Sequence, residues 1–473
     1  MAKKTKDSNL SLEEKLEQAL IPNWDEPYKL PDNWCWVNLG TICSLENGVK
    51  QSGEELVYLD AKTLREINEP QFRDNGVVVV QNQKVILVDG ENSGEVFIVP
   101  YRGYMGSTFR IINISKCSDE MYVRYFIDFN RDKLRKNKVG SAIPHLNKEL
   151  FFSLEFPFPP LSEQQRIVAR IESLFAKLDE AKEKAQEVVD GFETRKAAIL
   201  HKAFSGELTA EWRRTNIADS FAYVESIDSK MRHYKKKKTK KVSNEFISSI
   251  KNYIPSEWAH VDLDRISKLI TDGEHKTPRR VDQFEGYYLL SARNIHNDLL
   301  LLDDVDYVDE LEFATISKRC NPKRNDLLIS CSGSVGRSCV IEDNNNYAMV
   351  RSAAMVSLLE GNPRFVMYIL QSYYLQGQIK KLSKQTAQAN LFLGAISALI
   401  IPFPDIKEQN EIVHILDNFF KKENKSKETA ESVIEQIDTM KKAILARAFR
   451  GELGTNDPTE ESAVELLKQI ISK

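Results

Sequence analysis

The sequence predicts an α+β protein. Two α/β modules are joined by two long helices that form an intramolecular antiparallel coiled coil, which gives the molecule pseudo-twofold symmetry. Three observations lead to this fold class. The 473 residues exceed what one ordinary core holds. A block of about 50 residues occurs twice, and it carries a helical apolar rhythm in both copies. The block before each copy contains short β-rich runs separated by turns.

The duplication defines the domain organisation. Residues 156–208 match residues 401–453 without a gap, at an offset of 245, and 23 of the 53 aligned positions are identical. Upstream the match is weaker but continues, since Leu30-Pro-Asp-Asn-Trp34 aligns with Ile254-Pro-Ser-Glu-Trp258. Each half is therefore a variable block followed by a nearly constant one.

The predicted boundaries follow from this repeat. They are an N-terminal extension (1–29), a first module (30–160), a first constant helix (161–212), a basic linker (213–250), a second module (251–400), a second constant helix (401–454) and a C-terminal tail (455–473). The linker contains Tyr234-Lys-Lys-Lys-Lys-Thr-Lys-Lys241. Because like charges repel and stay extended, a solvated tether is favoured over a DNA contact there.

The constant blocks predict helices of about 43 residues, or roughly 60 Å. Inside the first, Gly191 is the single weak position and costs about 1 kcal/mol. Capping-box spacing and C-terminal glycines mark the predicted ends, at Ser162/Gln165 and Gly206 in the first copy and at Asp405/Glu408 and Gly451 in the second.

A 4-3 apolar rhythm along both helices is typical of a coiled coil. The predicted seam and partner-docking positions are Ile167, Ile171, Leu174, Leu178, Val188 and Phe192 in the first helix and Ile412, Leu416, Phe419, Val433, Ile437 and Ile444 in the second. The rhythm slips at Arg195 in the first helix and is interrupted at Glu423 in the second. Two unrelated helices, each packed on its own domain, are the alternative.

The variable modules present polar loops between their strands. Because Arg and Lys pair with guanine edges, and Asn and Gln with adenine edges, these loops are candidates for reading DNA in the major groove. The candidates are Lys50, Gln51, Lys62, Arg65, Asn92, Arg102, Lys136, Lys138 and His145 in the first module, and His275, Lys276, Arg279, Arg280, Arg293, Asn294, Ser334, Arg337, Arg351, Gln385, Gln388 and Asn390 in the second. Ordinary surface polarity is the alternative for each of these residues.

The charge balance limits what the chain does alone. The net charge is −3, residues 30–155 carry 15 basic and 17 acidic side chains, and residues 254–400 carry 16 and 18. Since neither module is basic overall, we expect partner subunits to supply phosphate contacts for tight DNA binding.

Several activities lack their motifs. The sequence has no G-x-x-x-x-G-K-[ST] loop for an NTP-driven motor and no adenine methyltransferase motif. Ser332-Gly-Ser-Val-Gly336 predicts a hairpin turn because a strand-like run follows it where a phosphate cradle needs a helix. The six cysteines have no metal-ligand spacing, which indicates buried reduced thiols. No catalytic, cofactor or metal residue is predicted, although spacing alone does not exclude a PD-(D/E)-x-K nuclease.

These features resemble the specificity subunits of type I restriction-modification systems. The resemblance rests on Pro157-Phe-Pro-Pro-Leu-Ser-Glu-Gln-Gln-Arg-Ile-Val168, its echo at 402–413, the paired Ala-Phe-x-Gly-Glu-Leu endings, and Lys138-Val-Gly-Ser-Ala-Ile-Pro-His-Leu-Asn147. The last segment has an altered counterpart at 383–391. The resemblance covers roughly residues 30–454.

The resemblance implies that the modules are target recognition domains, each reading half of a split sequence in double-stranded DNA. The paired helices would set the half-site spacing and dock two methyltransferase subunits. Those partners would use S-adenosylmethionine to methylate adenine, and restriction/translocase subunits would use ATP and Mg²⁺. The chain itself would be a non-catalytic, cytoplasmic subunit. A stand-alone DNA-binding regulator, a fused methyltransferase-endonuclease and a coiled-coil scaffold without a nucleic-acid role are the alternatives.

Overall fold

The computed structural model describes residues 11–140, 144–216, 218–234, 254–385 and 389–472. The chain divides into two compact units, the first made of Met1–Gln186 and Glu431–Lys473 and the second of Glu187–Ala430. Each unit therefore contains one variable module together with part of both constant blocks. The mixed α+β class predicted from the sequence is confirmed.

The elements are named in chain order. The helices are α1 (Leu12–Ala19), α2 (Leu39–Ile42), α3 (Ala61–Leu64), α4 (Glu120–Phe129), α5 (Arg131–Lys136), α6 (Lys148–Phe152), α7 (Leu161–Asp190), α8 (Phe192–Phe204), α9 (Ala210–Thr215), α10 (Ser220–Tyr234), α11 (Glu310–Ile316), α12 (Pro363–Leu370), α13 (Tyr373–Leu382), α14 (Leu393–Ser397), α15 (Ile406–Phe449) and α16 (Ala463–Ile471). The strands are β1 (Cys35–Asn38), β2 (Cys43–Glu46), β3 (Lys50–Leu59), β4 (Gln71–Val79), β5 (Lys84–Leu87), β6 (Val96–Ile98), β7 (Gly103–Met105), β8 (Phe109–Ile114), β9 (Glu155–Phe158), β10 (Ala259–Asp262), β11 (Ser267–Asp272), β12 (Tyr287–Leu290), β13 (Asp306–Tyr307), β14 (Leu327–Ser330), β15 (Ser338–Val340), β16 (Asn346–Met349), β17 (Ala353–Leu358), β18 (Lys384–Gln385), β19 (Ala389–Asn390) and β20 (Ile400–Phe403). Short 3₁₀ turns lie at Asn23–Asp25, Leu263–Ile266 and Ala292–Asn294.

The duplicated sequence produces a duplicated topology. In the first unit β1 pairs with β9, a four-stranded sheet runs β2-β8-β5-β6, and β3, β4 and β7 close a small barrel. In the second unit β10 pairs with β20, the four-stranded sheet runs β11-β17-β14-β15, and β13, β12 and β16 form an open three-stranded sheet. The two modules thus share one scaffold whose third sheet differs.

A large apolar core joins the module to the long helices in each unit. In the first unit, Phe151 and Phe156 pack with Ile167 near the start of α7 and with Phe449 at the end of α15. In the second, Trp258 and Phe403 pack with Leu200 and Phe204 of α8 and with Ile412 and Leu416 of α15, a set that shares one buried cluster. Both ends of α15 are therefore anchored in a core.

The long helices run antiparallel, as predicted. In the first unit Lys441 Nζ lies 2.6 Å from Asp179 Oδ1, and Lys182 Nζ lies 4.0 Å from Asp438 Oδ1. In the second unit Arg195 Nε lies 2.8 Å from Glu423 Oε2. Residue numbers rise along one helix as they fall along the other, which is the register of an antiparallel pair.

The two residues that interrupt the apolar seam contact each other. Arg195, where the first seam slips, donates to Glu423, which interrupts the second, and its Nη2 also donates to the Val188 carbonyl at 2.8 Å. A Cβ at Gly191 would lie 2.3 Å from Arg195 Nη1, so glycine leaves room for the folded-back guanidinium. The first helix accordingly divides into α7 and α8 at Gly191, whereas α15 is continuous.

One predicted seam position is wrong. Ile437 is 1% exposed and Ala430 is 7% exposed, but Val433 is 37% exposed and lies outside the seam. Lys441 lies in the seam of α15 although the apolar pattern did not predict it. Its ammonium pairs with Asp179 and lies 5.1 Å from the centre of the Phe175 ring. The apolar stem of a lysine can pack in a seam while its charge is paired. A pattern of apolar residues therefore does not reveal such a position. The other predicted seam positions are buried or half-buried, namely Ile167, Ile171, Leu174, Leu178, Val188, Phe192, Ile412, Leu416, Phe419, Ile437 and Ile444.

The helix ends are partly as predicted. Gly206 (φ +74°) and Gly451 (φ +72°) follow the ends of α8 and α15 in the left-handed conformation expected of C-terminal glycines. Asp405 caps the start of α15 as predicted, since its Oδ1 accepts from the Lys407 amide at 2.9 Å, but neither full capping box forms. Ser162 Oγ donates to Glu460 at 2.8 Å, and the Glu408 carboxylate accepts from Trp258 rather than from the start of its own helix.

The segments predicted as extension, linker and tail contribute to the cores. In the first unit α1 contacts α16, and Ala19, Ala463 and Leu467 are buried in the same cluster. In the second unit α10 buries Val224 and Ile227, although the prediction assigned it to the basic linker. The composition of residues 213–250 did not predict α10, because a helix of 15 residues depends mainly on tertiary packing for its stability. The lysine run at 235–241 lies outside the described residues.

All six cysteines are buried free thiols, as the sequence predicts. Burial raises the pKa of Cys35, Cys43, Cys320, Cys331 and Cys339 to about 12. None of the helices within the described ranges is long and apolar enough to cross a membrane. In the same ranges, no three His, Cys, Asp or Glu side chains group as a metal site would require.

Candidate nucleic-acid interface

Three loops predicted to be functional meet in the first unit. Val88 accepts from the Leu146 amide at 2.8 Å and donates to the Thr108 carbonyl at 2.8 Å. Gly90 N donates to the Pro144 carbonyl at 2.7 Å. The backbone thus joins the loop after β5, the loop between β7 and β8, and the segment that precedes α6.

The second unit joins its equivalent loops in the same way. Cys331 accepts from the Leu391 amide at 2.9 Å and donates to the Ser352 carbonyl at 2.8 Å, and Ser332 forms a bridge with Asn390. Residues 331, 352 and 391 therefore take the places of 88, 108 and 146. The structure brings both predicted loop sets together from positions up to 60 residues apart.

In the first unit, several predicted DNA contacts hold the loops to one another. His145 Nδ1 lies 2.7 Å from Asp89, Lys138 Nζ lies 2.5 Å from Glu91, and Asn92 Oδ1 accepts from Arg135 at 2.7 Å. The hydrogen bond and charge of Lys138 lower the pKa of Glu91. The loop between Asp89 and Gly94 is therefore charge-paired to the segment around residues 135–145.

Two further predicted arginines in the first unit are also paired. Arg65 contacts the Glu95 carboxylate, and its guanidinium lies 5.7 Å from the centre of the Phe97 ring. Arg102 Nη1 lies 2.5 Å from both carboxylate oxygens of Glu54. The Arg65 side chain is less exposed than that of Arg102 (27% against 46%), so Arg65 is the more firmly held of the two.

In the second unit, Asp306 forms ion pairs with two of the predicted arginines. Arg280 Nε lies 2.8 Å from Asp306 Oδ2, and Arg293 Nη2 lies 2.9 Å from Asp306 Oδ1. Burial alone would raise the pKa of Asp306, but hydrogen bonds from the two arginines outweigh it and lower the pKa. Arg279 pairs in a similar way with Asp309.

A second acidic centre holds the predicted His275. Its Nε2 lies 2.9 Å from Asp272 Oδ2, and Arg319 contacts both the Asp272 carboxylate and His275 Nε2, the latter at 3.0 Å. Burial opposes ionisation of Asp272, but hydrogen bonds from Arg319 and His275 outweigh it and lower its pKa. A cavity of about 680 Å³ opens beside this cluster and is also lined by Arg351 and Asn390.

Two predicted contacts in the second unit are structural instead. Asn294 is 2% exposed, and its amide donates to the carbonyls of Leu301 and Asp304. Arg337 Nη2 donates to the Ala292 carbonyl at 2.6 Å, which ties the hairpin after β14 to the 3₁₀ turn. The Asn294 amide and the Arg337 guanidinium therefore hold the loops in place.

Seven further candidates have exposed side chains. Within the described ranges, the following exposed side chains form no ion pair or hydrogen bond: Lys50, Gln51, Lys62, Lys136, Lys276, Ser334 and Arg351. Gln388 lies outside the described residues, and Gln385 is described only through its backbone pairing with Ala389. Lys50 and Gln51 begin β3, Lys62 lies in α3 and Lys136 ends α5, whereas the other three lie in loops.

A buried tryptophan–glutamate hydrogen bond joins each module to its long helix. In the first unit Trp34 Nε1 donates to Glu163 Oε2 at 2.8 Å, and Asn456 Nδ2 donates to the same oxygen at 2.8 Å. In the second, Trp258 Nε1 donates to Glu408 Oε2 at 3.0 Å, while Arg213 and Thr209 donate to the other oxygen at 2.5 and 2.6 Å. Both carboxylates are at most 1% exposed.

The glutamine after each of these glutamates repeats the pattern. Gln164 Nε2 donates to the Pro159 carbonyl and Gln409 Nε2 to the Pro404 carbonyl, at 2.9 and 2.8 Å. Sequence reasoning used the repeated Glu-Gln only as a mark of duplication and missed this role. The signal was present, because the Pro-x-x-Trp segment and this Glu-Gln pair occupy equivalent positions in the two repeats.

Comparison with known proteins agrees with this architecture. The family model for the type I restriction modification DNA specificity domain matches residues 31–189 and 255–436. The EcoBI specificity subunit of Escherichia coli is 24% identical over 380 residues, which cover 76% of this chain and 74% of that protein. The MjaVIII specificity subunit of Methanocaldococcus jannaschii is 23% identical over 448 residues, covering 90% and 94%.

Solved structures share the fold. A chain from a study of complex assembly and conformational transition of the type I R-M system matches with a TM-score of 0.62 at 18% identity, covering 90% of this chain and 100% of that one. The HsdS subunit of Thermoanaerobacter tengcongensis matches with a TM-score of 0.53 at 18% identity, covering 90% and 99%. The family match covers both variable modules and much of both constant helices.

Proposed function

This chain belongs to the family of specificity subunits of type I restriction-modification systems, and from that premise we propose that each of its two modules reads one half of a bipartite DNA target. As a specificity subunit it determines target recognition and is not the catalyst of the complex. One observation supports two separate recognition sites. The two modules share a loop scaffold but carry different side chains on it. Residues 88, 108 and 146 join the loops of one unit as 331, 352 and 391 join those of the other.

Partner subunits supply the chemistry in this proposal. Two methyltransferase subunits dock along α7, α8 and α15, bind S-adenosylmethionine and methylate adenine. Restriction/translocase subunits add ATP- and Mg²⁺-dependent translocation and cleavage. The near-neutral modules support this division, since phosphate contacts from partners would raise the affinity for double-stranded DNA. The free thiols agree with a cytoplasmic location.

The proposal is tested by methylome sequencing. The chain is expressed with its methyltransferase partner in a methylation-free host, and single-molecule sequencing reads the adenine modifications. We expect one split, asymmetric motif that is methylated only when both proteins are present. The partner expressed alone is the control. A contiguous motif, or the same motif without this chain, would refute the bipartite reading.

A second experiment tests the charge-paired loops. We expect Asp306→Asn to strengthen binding of the assembled methyltransferase complex to non-target DNA, because it removes one negative charge and frees Arg280 and Arg293. The slope of log K against log salt should steepen by about 1 to 2, one for each phosphate gained. Fluorescence anisotropy at several salt concentrations measures this slope. Asp304→Asn, which removes the same charge from an 89% exposed side chain 3.8 Å from Arg293, is the matched control. Equal slopes for the two variants would argue against release of the arginines.

A further inference from the structure

The first unit contains a two-stranded ribbon that the second unit lacks. We use the name ribbon for residues 50–55 of β3 with residues 71–76 of β4. Ser52 lies opposite Asn75, Gln51 opposite Gly76, and Leu56 opposite Arg73. The third strand of the barrel, β7, pairs with β3 only at Tyr58 and Leu59 and with β4 only at 77–79. β7 thus holds the ribbon at both ends, where Tyr58 faces Gln71 and where Lys50 faces Val77, and the bulged middle of the ribbon is the part that β7 does not pair.

Almost the whole ribbon is exposed. All residues from 50 to 55 and from 71 to 75 are exposed, including Phe72 at 62%. The two paired strands are about 4.8 Å apart. The major groove of B-DNA is about 12 Å wide and 8.5 Å deep and admits a two-stranded ribbon. The width of the ribbon thus suits the groove.

The middle of the ribbon is fixed as well. β3 bulges between Ser52 and Leu56, where three residues face Asp74 alone. The hydroxyl of Tyr104, which is 1% exposed, lies 2.8 Å from the Glu54 carbonyl and donates to it from below the bulge. Arg102 pairs with the Glu54 carboxylate on the outside. An anchored ribbon loses little conformational entropy when it enters a groove.

The exposed side chains are of the types that read bases. Gln51 has no described partner, Arg73 stacks with its guanidinium 3.4 Å from the centre of the Tyr58 ring, and Asn75 contacts its neighbour Asp74. Arginine suits guanine edges, and the two amides suit adenine edges. Because Glu55 and Asp74 would be repelled by phosphates, the ribbon is better suited to base edges than to the DNA backbone.

The equivalent strands of the second unit are too short for this role. There β12 has four residues and β13 has two, against ten and nine for β3 and β4. We propose that the ribbon is the element of the first module that enters the major groove, and that Gln51, Arg73 and Asn75 are specificity-determining residues. This rests on the proposed function and adds that the two half-sites are read by different elements.

The test compares methylomes of single variants. Gln51→Ala, Arg73→Ala and Asn75→Ala chains are each expressed with the methyltransferase partner in a methylation-free host. We expect each variant to relax one base pair in one half-site by about 5- to 150-fold and to leave the other half-site unchanged. Gln81→Ala, which alters an exposed amide on the turn after β4, should retain the original motif.

The outcomes separate the two proposals. If the unaltered chain yields no bipartite motif, the proposed function fails. If it yields one and all three variants keep the motif intact, the ribbon assignment fails alone. If the variants lose methylation everywhere and no longer copurify with the methyltransferase, the ribbon is a protein-docking surface, which also overturns the inference. Unchanged thermal unfolding of the variants shows that none of these results comes from misfolding.

Discussion

Arg213→Met is expected to destabilise the second unit by about 3–5 kcal/mol, the cost of breaking a buried ion pair by removing one partner. Arg213 Nη1 lies 2.5 Å from Glu408 Oε1, and the two side chains are 17% and 1% exposed. Without the guanidinium, the Glu408 carboxylate stays buried and keeps the neutral donors Trp258 and Thr209 but no described cation. Urea unfolding monitored by tryptophan fluorescence measures the change, since Trp258 lies at the site.

The neighbouring residue provides the matched control. Arg214 pairs with Glu211, but both side chains are more than 70% exposed, so Arg214→Met should cost at most about 0.5 kcal/mol. Adding Glu408→Gln to Arg213→Met removes the buried charge and should recover at least half of the loss. Equal stabilities for Arg213→Met and Arg214→Met would show that Glu408 does not depend on the arginine.

The Arg213 pair also distinguishes the two repeats. In the first unit, Trp34 and Asn456 are the neutral donors at 2.8 Å to Glu163. The second copy of the Ala-Phe-x-Gly-Glu-Leu ending continues as Gly454-Thr-Asn456, whereas the first continues as Thr209-Ala-Glu-Trp-Arg213. The same buried carboxylate is therefore stabilised by a cation in one unit and by an amide in the other. The donors to the buried glutamate have therefore diverged between the two repeats, whereas the tryptophan–glutamate hydrogen bond is kept.

The duplication made the fold predictable from the sequence. Two faithful copies of a helical seam predicted the antiparallel pair, and the interruptions at Arg195 and Glu423 contact each other. The register was harder to predict, because Lys441 takes a seam position that a hydrophobic pattern assigns elsewhere. Charged residues with long apolar stems break the simple rule that seams are apolar.

The candidate site was less predictable, because ion pairs between loops are not visible in a sequence. Arg279 and Asp309 are 30 residues apart, and Lys138 and Glu91 are 47 apart. Residue type alone could not separate arginines that are already paired from those that remain exposed. The ribbon residues Arg73 and Asn75 were missed for a similar reason, since only strand pairing reveals the long exposed ribbon that β3 and β4 form.

Phe449→Ala is expected to cost about 3–5 kcal/mol in the first unit, as for other buried phenylalanines replaced by alanine. Phe449 is the last residue of α15 and is 1% exposed. Its ring lies between 5.3 and 5.5 Å from those of Tyr122, Phe126 and Phe129. The alanine leaves a cavity at the point where the helix enters the core of the module, so unfolding should begin at lower urea.

The same helix supplies the control, because Met440 is 46% exposed and Met440→Ala should change stability by less than about 0.5 kcal/mol. Phe449→Leu should recover much of the loss by refilling the cavity. In the methylome assay, the weakened packing of α15 against the module should lower methylation at every target site without changing the motif. Phe449 positions the module and touches no base in the proposed mechanism. A variant with normal stability but an altered half-site would contradict that role and would place the end of α15 among the reading elements.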